Sequence, residues 1–521
     1  MRKGIKLFDS TLRDGSQAEG ISFSVSDKIK IANALDRFGV DYIESGNPGS
    51  NEKDRVFFRE FNQGNLQHAK LVAFGSTRRK YINASDDDNV KALLEADTPT
   101  VAIFGKSWDL HVEKVICTTL EENLKMIADT ISYMKNSGKE VIFDAEHFFD
   151  GYDANPTYAI NTILTAQQTG ADVIVLCDTN GGTLPDKMRE VTRLVMTIVD
   201  VELGIHTHDD MGTAIANSLI AIDAGFTHLQ GTFTGFGERC GNANLSALIP
   251  TLQLKYGCEL SSGLNLKQIT QTARYINTVA NIPLSRNLPY VGASAFSHKG
   301  GMHIDGVSKV KHSFEHVSPE QIGNKRRFLM SEVSGKSSII SMIQKVDPSI
   351  KKGSTKVASI LEKLKGLEYQ GYQFEGAESS FELEIRKMLG LYRPAFEITY
   401  FKTIDEKSES EFTSFGMIKI KVNGNEEVTA AEGNGPVNAM DMALRKALES
   451  FYPSLKKMTL KDYKVRVLDG DNTTAAKVRV LIESSNGKDT WNTIGVSTNI
   501  IEASLKALTD SIEYSLLKEA E

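Results

Sequence analysis

The stretch Val201-Glu202-Leu203-Gly204-Ile205-His206-Thr207-His208-Asp209-Asp210 decides how this chain is read. A short apolar run ends in two histidines one residue apart. Side chains alternate across a strand, so His206 and His208 point the same way. Two imidazoles on one face, followed by two aspartates, look like half of a divalent metal site. A polar strand end is the plainer reading of His-x-His by itself. A matching half lies far upstream, where another apolar run gives way to Leu12-Arg13-Asp14-Gly15.

Outward from this pair, strand-like and helix-like segments alternate. Strand candidates are residues 5–10, 42–45, 70–74, 100–104, 140–144, 173–177, 202–206 and 228–232, with helix-like segments such as 26–38 and 119–136 between them. In the latter, Leu120, Leu124, Ile127, Ile131 and Met134 recur at helical spacing. Eight β/α units in this length predict an α/β protein built on a TIM (β/α)8 barrel. A doubly wound open sheet is the alternative, weakened because no Gly-x-Gly-x-x-Gly opens a helix after the first strand. In a barrel the strand C-termini converge on one face, and that face carries chemistry. Polar residues unusual for a core sit where these strands end: Arg13, Asp14, Glu44, Glu146, Thr179, His206, His208, Thr234 and Glu238. Residues more than two hundred positions apart are thereby expected to share one pocket.

The chain has 521 residues, too many for one core, so about two to four domains are expected. A net charge of −7, with lysine and arginine dispersed, argues against nucleic acid or an anionic membrane as partner. Cys117, Cys177, Cys240 and Cys258 form no Cys-x-x-Cys, which fits a reducing cytosol and neither a disulfide frame nor a zinc knuckle. Cys177 and Cys240 fall near the proposed site and read as buried, inert thiols rather than nucleophiles. The N-terminus leads straight into a strand-like run without a signal-peptide core, and no apolar stretch is long enough to span a bilayer. A cytoplasmic protein is expected.

The divisions drawn from the pattern are a barrel over 1–270, a linker subdomain over 271–330, a helical subdomain over 331–391 and an α+β domain over 392–521. In the linker, Asn287-Leu288-Pro289 breaks periodicity and Ser297-His298-Lys299-Gly300-Gly301-Met302-His303 reads as a mobile loop. The last domain holds a degenerate repeat. One copy runs from Phe415 through Gly433-Asn434-Gly435 to a helix over 439–448, the other from Ala476 through Gly495 to a helix over 501–516. Two such pseudo-symmetric units could bind a small molecule between them or mediate dimerisation.

Hard divalent cations prefer carboxylate and carbonyl oxygens, and imidazole extends the choice to manganese, zinc, cobalt and iron. Asp14, His206 and His208 make a two-His, one-carboxylate set with room for substrate oxygens. Arg13 beside it suits a carboxylate or an enolate oxygen. Asp144 and Glu146 share one strand face, which leaves His147 a structural role. Thr179, in Asp178-Thr179-Asn180-Gly181-Gly182, joins a hydroxyl to turn amides suited to a substrate carboxylate. The Gly-rich loop Gly235-Phe236-Gly237-Glu238-Arg239-Cys240-Gly241-Asn242 follows the last barrel strand, a place that often binds a phosphate or nucleotide tail.

The combined pattern Asp9-Ser10-Thr11-Leu12-Arg13-Asp14-Gly15, His206-Thr207-His208-Asp209-Asp210 and Gly237-Glu238-Arg239-Cys240-Gly241-Asn242 resembles the metal-dependent Claisen-condensing synthases. These are the 2-isopropylmalate, homocitrate and citramalate synthases, with their lyase cousins. The resemblance covers nearly the whole chain, and the C-terminal repeat resembles the family's allosteric domain. Phe143-Asp144-Ala145-Glu146-His147-Phe148-Phe149-Asp150-Gly151 and Asp489-Thr490-Trp491-Asn492-Thr493 most resemble the long citramalate-forming branch.

The resemblance implies a divalent metal (manganese, magnesium, zinc or cobalt) held by Asp14, His206 and His208, with Asn242 in or near the shell. It implies Arg13 for the keto-acid oxygen and the enolate, Thr179 and Asp144 for substrate binding, and Glu146 in acetyl-CoA activation. Gly237 and Glu238 would lie on the acyl-CoA side, and His303 would act from the linker. Acetyl-CoA and pyruvate are the implied substrates, isoleucine or leucine the feedback inhibitor, and a homodimer the assembly. Two positions depart from the pattern: Phe314 stands where relatives carry a tyrosine, and Asn47 where an aromatic is expected. 2-Isopropylmalate synthesis and an aldol-type lyase on the same barrel are the competing activities.

Overall fold

A computed structural model describes residues 4–61, 66–260, 263–329, 340, 343–344, 346–350, 354–374, 376–407, 412–468, 476–487 and 489–520. Eight parallel strands close a barrel: β1 (Lys6–Asp9), β2 (Tyr42–Glu44), β3 (Lys70–Ser76), β4 (Thr100–Lys106), β5 (Glu140–Glu146), β6 (Val173–Asp178), β7 (Glu202–Thr207) and β8 (His228–Gly231). All eight strand candidates are present. β1 pairs with β2 on one side and β8 on the other, which excludes the open sheet.

Parallel strands covered on both faces read as unbroken apolar runs, and in Val173-Ile174-Val175-Leu176-Cys177 every residue is buried. Alternate side chains feed two cores. Leu7, Leu71, Val141, Leu176, Ile205 and Leu229 pack outward under the helices. Phe8, Tyr42, Val72, Ala102, Ile142, Val175 and Cys177 fill the barrel. The same period of two carries the inner face up to Ser10, Glu44, Phe74, Phe104, Asp144, His206 and Gln230. Gly204 keeps this interior open, since a Cβ there would stand 2.9 Å from both the His228 ring and Val175.

Local signals set the helix limits. Val25–Phe38 begins at Ser24, whose hydroxyl accepts from the Asp27 amide while the Asp27 carboxylate accepts from the Ser24 amide. It ends at Gly39, which is left-handed at φ 100°. Leu120–Asn136 starts at Thr119, whose hydroxyl accepts from the Glu122 amide.

The chain falls into two compact units, Met1–Phe296 with His316–Arg326, and Ser297–Glu315 with Arg327–Glu521. In the second, β9 (Ser297–His298) pairs with β10 (Arg327–Phe328), and a helix spans Gly301–Lys309. A loop was expected over 297–303. The helix forms instead because Gly300 is its extended N-cap and Ile304 and Val307 bury one face. Helices Thr355–Tyr369 and Glu378–Leu389 fall in the stretch expected to be helical. The expectation for 331–339 and 351–353 lies outside the described residues.

The C-terminal repeat is β-β-β-α twice. β11 (Glu397–Lys407), β12 (Phe412–Val422) and β13 (Asn425–Gly433) form one antiparallel sheet followed by helix Pro436–Leu448. β14 (Thr459–Val467), β15 (Val478–Ser485) and β16 (Thr490–Ser497) form the other, followed by helix Ile500–Ala520. The first strand of each copy escaped the sequence reading. Both are mostly exposed and rich in charge, which dilutes the apolar alternation of Tyr463, Val465 and Val467 in the second. The helices sit on glycines: a Cβ on Gly416 would lie 2.7 Å from the Ala439 backbone, and one on Gly495 2.0 Å from the Ala503 carbonyl.

Candidate metal centre and active site

β7 carries His206 on its inner face, and His208 follows one residue past the strand end. Asp14 arrives from the turn after β1, in which the amides of Arg13 and Gly15 both donate to the Ser10 carbonyl. The three side chains meet, all buried: His206 Nε2 to His208 Nε2 is 3.2 Å, Asp14 Oδ2 to His206 Nε2 is 3.3 Å, and Asp14 Oδ2 to His208 Nε2 is 3.6 Å. For a cation about 2.1 Å from each atom, these edges subtend angles of about 100–118°, as a tetrahedral or distorted octahedral face requires. The donors fit a divalent cation in chemistry as well as in size.

Asn242 completes the cluster from the Gly-rich loop. Its Nδ2 donates to Asp14 Oδ2 at 2.8 Å and lies 3.3 Å from His206 Nε2, while its buried Oδ1 meets no hydrogen-bond partner. A half-turn of the amide would turn that oxygen, a donor suited to a hard cation, toward the cluster. Gly237 makes room for it, because a Cβ there would stand 1.7 Å from Asn242 Oδ1.

Electrostatics favour an ionised Asp14. Burial raises its carboxyl, but the Arg13 charge and the hydrogen bond to His206 outweigh burial and hold it well below the usual carboxylate range. Burial opposes charge on His206 too, yet Asp14 raises it above the usual imidazole value. For His208, burial and then repulsion from His206 win, and it is pushed down to about 3.

Arg13 is clamped. Its Nε donates to Glu44 Oε2 at 2.7 Å, and its guanidinium lies 3.8 Å from the centre of the Phe74 ring. Ser10 donates its hydroxyl to the same Glu44 oxygen. Phe74 in turn stacks on Phe104, centroids 5.1 Å apart and planes 19° apart. On β5, Asp144 accepts from Gln230 Nε2 at 3.0 Å, and burial, then Glu44, push its carboxyl up to about 7. Glu146, one strand turn higher, is ion-paired with Lys106 of β4.

The Thr179 hydroxyl accepts from the His147 amide at 2.9 Å, and the Thr179 carbonyl accepts from Arg239 Nη2 at 2.7 Å. His147 is left-handed at φ 56°, its ring 4.2 Å from His111 and bonded to Asp150, which fits the structural role expected of it. Arg239 also pairs with Asp210 at 2.8 Å and so pins the Gly-rich loop to the turns after β6 and β7. Glu238 of that loop is exposed. Cys177 is buried as expected, whereas Cys240 is exposed on the loop. His303 lies on helix Gly301–Lys309 of the second unit, its ring stacked 4.2 Å from Phe314.

The residue missed in the sequence is Gln230. Its signal was a polar side chain two positions beyond His228 on the inner face of β8. It accepts from His206 Nδ1 at 3.0 Å and so joins Asp144 to the cluster.

Three family matches tile the chain: HMGL-like over residues 4–276, Homocitrate synthase post-HMGL domain-like over 290–371, and LeuA allosteric (dimerisation) domain over 375–516. The (R)-citramalate synthase of Aquifex aeolicus is 50% identical, with 100% of this chain and 99% of the relative covered. That of Geobacter sulfurreducens is 49% identical over 99% and 98%. The probable 2-isopropylmalate synthase of Methanosarcina mazei is 28% identical over 99% and 96%. A closed barrel with a buried two-His, one-carboxylate cluster at its mouth, matched along its full length in this way, belongs to the HMGL-like family and, within it, to the (R)-citramalate synthases.

Proposed function

We propose that this enzyme condenses acetyl-CoA with pyruvate and hydrolyses the resulting thioester, giving (R)-citramalate and CoA with consumption of one water. The observation that carries the reading is the buried Asp14, His206 and His208 cluster, joined to 44–50% identity over nearly the whole chain with proteins named for that product. A divalent cation held by these three residues and Asn242 supplies Lewis acidity toward the keto acid's carbonyl and carboxylate oxygens.

The protein's own groups do the rest. Arg13, held edge-on by Glu44 and face-on by Phe74, presents its remaining N–H groups to the keto-acid oxygen and the enolate. Thr179 and Asp144 line the keto-acid pocket, Thr179 on the carboxylate side. A proton leaves the acetyl methyl group for Glu146 or for His303, the methyl carbon bonds to C2 of pyruvate, and the carbonyl oxygen takes up a proton. Water then displaces CoA from the thioester. Gly237 and Glu238 border the acyl-CoA. The stacked Phe74 and Phe104 form an apolar wall beside Arg13 suited to a methyl group. Acetyl-CoA deuterium exchange in Glu146→Gln and His303→Asn assigns the base: the variant that loses exchange removes it.

The boundaries proposed are 1–270 for catalysis, 271–330 and 331–391 for the two connecting subdomains, and 392–521 for regulation, in a cytoplasmic homodimer. Isoleucine, or leucine, is the proposed feedback ligand of the last domain, since citramalate leads toward isoleucine. Among the described residues no helix is long and apolar enough to cross a membrane.

A keto-acid panel with thiol detection tests the function. Pyruvate should be used best, 2-oxobutyrate less well and 2-oxoisovalerate least. Preference for 2-oxoisovalerate would replace this reading with 2-isopropylmalate synthesis.

A further inference from the structure

We infer that Gln230 is a positioning residue for His206: a one-way hydrogen-bond relay, anchored on Asp144, that makes His206 a ligand. The inference rests on the cluster's being a metal centre. His206, Gln230 and Asp144 lie on the inner face of β7, β8 and β5 and are all buried. His206 Nδ1 is 3.0 Å from Gln230 Oε1, and Gln230 Nε2 is 3.0 Å from Asp144 Oδ1.

Donor and acceptor chemistry gives this chain a direction. An ionised carboxylate only accepts, so Asp144 takes the amide N–H and turns the Gln230 carbonyl toward His206. A carbonyl also only accepts, so His206 must carry its proton on Nδ1. In the neutral imidazole, the form that binds a cation, Nε2 then keeps the lone pair, and that atom lies 3.3 Å from Asp14 Oδ2 and 3.2 Å from His208 Nε2. With the relay reversed, the amide would donate to Nδ1, the proton would sit on Nε2, and the cluster would lose one of its two nitrogens. The polarity of one buried amide therefore decides the ligand set. The two histidines are not equivalent in this respect, because His208 Nδ1 has no hydrogen-bond partner among the described residues.

The test is Co2+ titration of full-length, chelator-treated protein by calorimetry at pH 8, where Asp144 is ionised. Gln230→Met keeps the side chain's length and removes the relay, and should raise the Co2+ Kd about 10- to 100-fold. In the double variant Gln230→Glu with Asp144→Asn the partners exchange roles. An amide at 144 donates to a carboxylate at 230, which accepts from His206 Nδ1, so affinity should return to within about three-fold of wild type. Unchanged affinity in Gln230→Met overturns the relay, as does a double variant that binds as weakly as Gln230→Met. A wild-type protein that takes up no Co2+ overturns the metal-centre reading itself.

Discussion

Replacing His228 with leucine should make the barrel more resistant to acid. His228 stands on the inner face of β8, fully buried, between the rings of Phe8 at 5.3 Å and Tyr42 at 5.5 Å. Neither of its nitrogens has a hydrogen-bond partner among the described residues, and burial pushes its pKa from 6.5 down to about 3. A group lowered on folding binds its proton more readily in the unfolded chain. Its contribution to stability is full above pH 6.5 and is lost progressively as pH falls toward 3, at about 1.4 kcal/mol per unit. Between pH 6.5 and 5 that is a loss of about 2 kcal/mol, or roughly 4–8 °C in Tm for a barrel of this size. Asp9 and Asp144, both raised to about 7 chiefly by burial, act with the opposite sign. They give stability below pH 3.8 that fades as pH rises through 7, so only the difference between variant and wild type isolates His228. Calorimetric scans of both proteins at pH 7.5, 6 and 5 and fixed ionic strength measure it. The variant should gain on the wild type by about 2 kcal/mol over that range. Parallel loss of stability in the two proteins would refute a neutral, unpartnered His228.

Asp14→Ala and His208→Ala should each abolish metal-dependent CoA release, and full activity in either would sink the metal centre. Phe104→Ala removes half of the stacked wall beside Arg13 and should raise kcat/KM for 2-oxobutyrate relative to pyruvate by about 10- to 100-fold in thiol-release assays. Arg239→Ala frees the Gly-rich loop from Asp210 and Thr179; its melting temperature should stay near wild type, since partly exposed pairs contribute about 0.2–1 kcal/mol, while the KM for acetyl-CoA rises. Isoleucine added to the full-length enzyme should give a saturable heat and lower the rate of CoA release.

Much of the barrel was legible because parallel strands buried on both faces are unbroken apolar runs, and such runs are hard to mistake when helices with capping residues separate them. Asp14, His206 and His208 were legible for the same reason: polar residues closing apolar runs stand out. The outer strands β11 and β14 were not: although Tyr463, Val465 and Val467 alternate in β14, both strands are mostly exposed, and charged residues dilute their apolar pattern. Nor was the helix at 301–309, where two adjacent glycines concealed a cap.

The order of β/α units, the strand-end residues and the family they resemble were determined by the sequence alone, through periodicities that act within ten or so residues. Tertiary structure decided which strand ends meet and at what distance. Gln230 shows why. Its hydrogen bonds reach 24 residues back to His206 and 86 back to Asp144, separations over which no local pattern carries information. Only closure of the barrel brings the three together, and with them the tautomer on which the candidate metal centre depends.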